Sequence, residues 1–323
     1  MSCQSLEIYL GVNGRNFQRQ YKNNLSNFSG WKQKDHAEEY LIYPKNIGYH
    51  LSIDETALSN GELYTIITNK IKKGKKGAIV GIFKGTQSGE IIKIIKENFS
   101  EQQRAMVKEV TLDMANSMNL IVRKCFTKAT VVIDRFHVQK LACDAVQEHR
   151  IKHRWEAIEQ DNMAQKQARK QGEEYTPLIL ENGDTIKQLL VRSRYLLFKP
   201  SHKWTESQKQ RANILFNLYP DIEQAYDLSH HLYLIYSRIM TAPVAMTHLA
   251  QWFNQIDMVD LPSFQVLKNT IETHYQNIIN FFNNRSTNAS AESFNAKIKE
   301  FRRQFRGVVD VKYFLFRLTK IYA

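Results

Sequence analysis

Residues 109–134, EVTLDMANSMNLIVRKCFTKATVVID, decide the fold. Two short β-type runs, Glu109–Asp113 and Ala129–Asp134, each end in an aspartate and each lead into a helix-patterned stretch. In the first of these, Met118, Ile121, Val122 and Cys125 recur at the spacing of one helix face; the second is RFHVQKLACDAVQ. Two consecutive strand–helix units predict parallel strands in one sheet. Upstream lie three further β runs, Tyr49–Asp54 (YHLSID), Leu63–Thr68 (LYTIIT) and Gly77–Phe83 (GAIVGIF). The last two are joined by KIKKGKKG, a basic glycine-containing turn suited to a hairpin. Ser88–Phe99 has helical periodicity with Ser88 as its candidate N-cap, and a shorter helical stretch runs from Glu101 to Val107. The order β-β-β-α-β-α-β-α predicts an α/β fold: a mixed five-stranded sheet in which an antiparallel meander gains two parallel strands.

Beyond residue 143 the pattern is almost wholly helical. Candidate helices are Ala145–Arg169, Thr185–Phe198, Thr205–Leu218, Ile222–Met240, Val244–Ile256 and Phe264–Phe282, with breaks at Pro177, Pro200, Pro220, Pro243 and Pro262. Thr205 and Gln208 have capping-box spacing. Trp204, Tyr219, Tyr226, Tyr233, Tyr236 and Trp252 are read as core rather than as a stacking platform for bases. The expected organisation is a helical or linker segment (1–47), the first part of the α/β core (48–143), an all-α insertion (144–284) and a return to the core (285–323). In the first segment, Phe17, Tyr21, Leu25 and Phe28 suggest a short docking helix, and neither a helix-turn-helix nor a Cys/His knuckle is visible.

The 323 residues are 43% hydrophobic and 24% charged, the composition of a soluble globular protein. No apolar run reaches the ~18 residues of a membrane span, and the N-terminus lacks the pattern of an export signal, so a cytoplasmic location and no membrane partner are expected. Cys3, Cys125 and Cys143 form neither a zinc motif nor a disulfide framework. No P-loop, GxGxxG, GxSxG or CxxC occurs. The net charge of +13 favours a polyanionic partner, most simply nucleic acid. Its surplus is concentrated: residues 285–323 hold nine Lys/Arg against three acidic residues.

That segment opens with RSTNASAESFNAKIKEFRRQFRG (Arg285–Gly307), a polar loop running into a basic helix that ends near Gly307. Glu292, Asn295 and Lys299 share one of its faces. Alone, such a face reads as solvated helix surface; with aspartates ending three strands, Asp54, Asp113 and Asp134, it gains partners. Converging carboxylates are what a two-metal phosphoryl-transfer site needs, and Mg2+ prefers such hard oxygen donors. If the first strand lies beside the fourth, Asp113 stands one spacing, about 4.8 Å, from Asp54, and Asp134 two spacings, roughly 10 Å. Asp113 is thus the expected co-ligand, while Asp134 lies at the edge of the site or caps the following helix. Glu55 should face the opposite side of the sheet and is left out. His137 follows the fifth strand as a candidate phosphate or base contact. His149 and His153 have zinc-pair spacing without the accompanying Glu, so they read as helix surface.

The ordered set SIDE, TLDMANSM, VIDRFHVQK, a long helical insertion and NASAESFNAKIK resembles the bacterial insertion-sequence transposases of the DDE type, ISL branch, built on a ribonuclease H-like fold. The resemblance covers nearly everything from Gly48 onward. It implies a DNA transposase with the triad Asp54, Asp113 and Glu292 holding two Mg2+ ions, with Mn2+ able to substitute, and with cleavage and strand transfer at element ends as its chemistry. Lys299 matches a lysine that contacts transposon-end DNA, and Arg302, Arg303, Arg306, Asn295 and His137 are further expected DNA contacts. DNA ends and target DNA are the implied partners, with a homo-oligomer on DNA in a bacterial, nucleoid-associated setting. The usual N-terminal end-recognition modules are not recognisable, which points to a separately encoded helix-turn-helix partner or to a fragment. Two alternatives stand beside this reading: a ribonuclease H-like structure-specific nuclease, which cleaves without joining, and an inert DNA-binding or assembly protein.

Overall fold

The computed structural model describes residues 3–59, 61–304 and 307–323. By their internal contacts these form two compact units, Met1–Asp134 with Asn284–Ala323, and Arg135–Asn283.

The first unit is built on a mixed sheet of β1 (Tyr40–Ile42), β2 (His50–Ser59), β3 (Glu62–Asn69), β4 (Ile79–Lys84), β5 (Glu109–Leu112) and β6 (Thr130–Ile133). The strand order is β1-β4-β3-β2-β5-β6. β2, β3 and β4 form the antiparallel meander, β5 runs parallel to β2, and β6 runs parallel to β5. The sheet has six strands where five were expected. The addition, β1, pairs antiparallel with β4 and has only three residues, too few for a two-residue period to show. Its outer edge is closed by Gln33, whose amide accepts from the Ile42 N–H (2.8 Å) and donates to the Ile42 carbonyl (3.1 Å). A short, covered edge of this kind cannot template pairing with another chain.

β2 also runs longer than expected. Asp54 does not end it; the strand continues to Ser59, paired with β3 through Thr56 and Ala57. Polar residues after Asp54 hid that continuation.

Helices Ser88–Asn98 and Asn116–Cys125 pack on each other and bury Ile91, Ile95, Met118, Ile121, Val122 and Cys125, the stripe read in the sequence. Helices Ala289–Gln304 and Val311–Tyr322 place Phe294, Ile298, Phe301, Phe314, Leu315 and Leu318 in one cluster with Leu41, Leu58, Tyr64, Ile66 and Ile82. Each such side chain contributes about 1.5–3 kcal/mol when fully buried, so the helix carrying Glu292 is bound to the sheet by its apolar face. The N-terminal stripe is different: Phe28 packs on Trp31, Tyr313 and Phe316, whereas Leu25 is 69% exposed. Helix Gly14–Gln20 passes into a π-helical turn, Tyr21–Leu25, whose wider winding breaks the three- and four-residue spacing.

The second unit is all-α. Two stretches read as separate helices form one, Arg135–Gln171, since neither Gly nor Pro interrupts them. Helices Ile186–Arg192, Pro220–Ser237 and Pro262–Thr273 pack along it. The Thr205–Gln208 capping box is formed, and Pro220, Pro243 and Pro262 sit in the first turns of their helices. The stretch Phe264–Phe282 breaks into shorter helices after Thr273 and Ile279. Trp252 is fully buried, its indole N–H donating to the Leu228 carbonyl at 2.9 Å; Tyr226 and Tyr236 are buried too. His149 and His153 are engaged by Asp221. Among the described residues no helix is long and apolar enough to cross a membrane.

Candidate active site

Parallel pairing sets the aspartates level. Ser52 pairs with Thr111, and Leu112 with Ile133, so continuing both registers brings Asp54, Asp113 and Asp134 to the same height across β2, β5 and β6. They stand where the parallel strands end, the side on which α/β sheets bind their ligands. Asp54 lies inside β2 yet occupies this edge because β5 stops at Leu112.

Each carboxylate is held. Asp54 accepts from the Asn295 amide (2.8 Å) on one oxygen and from the Glu55 backbone N–H (2.8 Å) on the other. Asp113 accepts from the Ala115 N–H at 2.7 Å, a local turn that fixes its rotamer. Asp134 is fully buried and accepts from the Asn288 N–H at 2.9 Å.

Asn288 leads into the helix Ala289–Gln304, its carbonyl accepting from Ala291 and Glu292. The Ser52 hydroxyl donates to its side-chain oxygen. Both β2 and β6 therefore grip the start of the helix whose first turn presents Glu292 to solvent. Carboxylate oxygens of Glu292 and Asp134 come within 4.8 Å of each other. Asp54, Asp113 and Glu292, by contrast, are not gathered into a trio with all ligating atoms inside that distance among the described residues.

Glu55, left out of the sequence reading, belongs to this electrostatic environment. Burial first, then repulsion from Asp113 and Asp54, pushes its carboxyl above the ordinary glutamate range. Such concentrated negative charge with all-oxygen donors fits a hard divalent cation, which would relieve the repulsion.

The remaining expected contacts differ in exposure and in partners. Asn295 is turned to Asp54. Lys299 is exposed, Arg302 half-buried, and Arg303 exposed with two 2.9 Å bonds to Glu300; Arg306 lies outside the described residues. His137 sits on the first turn of Arg135–Gln171 in the second unit, its Nε2 buried without a hydrogen-bond partner among the described residues.

Sequence reading missed Ser52, Lys70 and Glu109, and it left Glu55 out. One signal was available: EVTLD places Glu109, Thr111 and Asp113 on one strand face, yet β5 is buried along its whole length. A buried strand with polar alternate positions requires polar partners.

A family model for transposases, of the ISL3 type with DDE chemistry, matches residues 51–318. No curated protein and no solved structure gives a match. With its six-stranded mixed sheet in the ribonuclease H-like arrangement and its acidic edge, the chain belongs to the ISL3-type DDE transposases, DNA-transferring enzymes of insertion sequences that take a divalent metal.

Proposed function

We propose that the protein cleaves insertion-sequence ends and joins them to target DNA, using Asp54, Asp113 and Glu292 as its acidic triad. The observation that carries this is the parallel pairing of β2 with β5, which sets Asp54 and Asp113 side by side below the helix that bears Glu292. Asp54, with both oxygens oriented by Asn295 and the Glu55 N–H, would hold ions from both sides, while Asp113 and Glu292 each complete one coordination sphere. Two Mg2+ ions held there, or Mn2+ in their place, would supply Lewis acidity at phosphorus and lower the pKa of a bound water. The trio need not touch, since a two-metal site spans ions ~3.5–4 Å apart. Asp134 acts on the position of Glu292 through Asn288. Lys299, Arg302, Arg303 and Arg306 neutralise DNA phosphates, which adds affinity and salt dependence but little sequence preference.

In this reading the core residues 48–143 and 285–323 carry the chemistry. The helical insertion (144–284) and segment 1–47 contact DNA ends, a second copy of the chain on DNA, or a separately encoded end-recognition protein. An assay with Mg2+ and labelled element ends tests the assignment: wild type should nick and join, and Asp54→Ala or Glu292→Ala should do neither. Undiminished cleavage by either variant overturns the triad; cleavage without joining replaces the transposase reading by a nuclease.

A further inference from the structure

Glu109 and Lys70 form a buried ion pair that the proposed chemistry does not use. Glu109 is 3% exposed at the start of β5, on the same strand face as Thr111 and Asp113. One of its carboxylate oxygens accepts from the Ser286 hydroxyl and lies 3.4 Å from the Lys70 ammonium; the other accepts from the Asn284 amide at 3.3 Å. Lys70 also donates to Thr111 Oγ1 (2.6 Å) and to the Ser286 hydroxyl. Between the two held residues, Arg285 adopts a φ of 50°, a left-handed conformation that is costly for a side-chain-bearing residue. Two residues beyond Ser286, Asn288 is tied to Asp134 and Ser52, and four residues after that comes Glu292.

A buried ion pair stabilises a fold little more than well-packed apolar groups of the same volume. What it adds is direction, because hydrogen bonds accept one geometry where apolar packing accepts several. We infer that Glu109, Lys70 and Ser286 form a latch that fixes the chain at 284–288, and thereby positions Glu292 over the aspartates of β2 and β5. This rests on the triad reading for its consequence, though not for its existence. The latch residues are positioning residues: the strand that carries Asp113 at one end grips, at the other, the segment that delivers Glu292.

The test uses the full chain with Ser286→Ala, which removes the hydroxyl link and leaves the ion pair and the Asn284 bond to Glu109 in place, and Ser286→Thr, which keeps the hydroxyl. Hydrogen exchange is measured on the metal-free protein, and the Mg2+ dependence of DNA cleavage is measured in parallel. Ser286→Ala should speed exchange of the amides of 284–292 about tenfold while β3 and β4 keep wild-type protection, and should raise half-saturating Mg2+ by about tenfold. Ser286→Thr should restore both. The double variant K70M/E109Q, which removes both charges together, should fold and reproduce the Ser286→Ala pattern. Unchanged exchange at 284–292 in Ser286→Ala overturns the latch, as does faster exchange spread evenly over the sheet, which would make the network a general strut. If wild type shows no Mg2+-dependent cleavage, the triad reading fails, and the exchange result alone still decides the latch.

Discussion

In β4, Ile79, Val80, Ile82 and Phe83 are buried, and Ile79 and Ile82 join the apolar cluster beneath the C-terminal helices. In β5, Glu109 and Thr111 are buried to the same degree, yet they reach Lys70, Ser286 and, through Glu109, Asn284. Both strands satisfy the backbone ladder and both reach side chains of the returning chain, but β4 does so by apolar packing and β5 by hydrogen bonds to residues more than 170 positions away. In β4 any apolar set of the right volume would serve, because dispersion and the hydrophobic effect have no direction. In β5 each partner must arrive at a fixed place. Two strands of equal burial thus do different work, one holding the sheet together and one setting where the catalytic helix returns.

That contrast can be broken by substitution. Lys70→Ala leaves Glu109 buried without its ammonium and should cost about 3–5 kcal/mol in urea unfolding. Ile82→Ala in β4 opens a cavity and should cost somewhat less, about 3 kcal/mol, while the folded fraction keeps the wild-type Mg2+ dependence. If Lys70→Ala proves the milder of the two, or if Ile82→Ala alters the Mg2+ dependence, the division of labour between the strands is wrong.

Acid sharpens the comparison. Burial pushes the Glu109 carboxyl up, but hydrogen bonds from Ser286, Asn284 and Lys70 with the Lys70 charge outweigh it and hold it below its ordinary value of 4.5. A carboxyl with a depressed folded value binds more protons when unfolded, so its stabilisation is complete above 4.5 and is lost as pH falls through the folded value. Stability measured from pH 6 to pH 3 should therefore fall less steeply in K70M/E109Q than in wild type, whereas Ile82→Ala should keep the wild-type slope. Parallel slopes in all three would remove Glu109 from the account.

The smallest effect is expected beyond the latch, at Glu55. Its raised carboxyl, caused first by burial and then by Asp113 and Asp54, means that folding disfavours its charged form relative to the unfolded chain. Glu55→Gln should raise the melting temperature of metal-free protein by on the order of 2 °C at pH 7. The gain should shrink when saturating Mg2+ is present. A lowered melting temperature would show that Glu55 is not repelled by Asp54 and Asp113.

Much of the fold was legible in the sequence because periodicity encodes burial. The stripe Met118, Ile121, Val122, Cys125 became the buried face of its helix, and the Thr205–Gln208 spacing became a capping box. What escaped was whatever periodicity cannot carry: the three-residue β1, the π-helical turn at Tyr21–Leu25, and the extension of β2 through polar residues. At the candidate site, the aspartates and Glu292 were visible as residue types, although Asp54 proved to lie inside its strand, whereas Ser52 and Lys70 were not visible. A serine inside a strand and a lysine just past the end of one have no one-dimensional signature.

By itself the sequence determined the mixed α/β core, the helical insertion and the aspartates that directly follow β5 and β6, since these follow from local pattern and chain order. Only the tertiary structure decided that Asn295 turns to Asp54, that Asp134 holds Asn288, and that Glu109 clasps the returning chain. Those contacts join residues 154 to 241 positions apart. Their geometry depends on strand register and on which helix face is buried, and no local spacing in the chain records either.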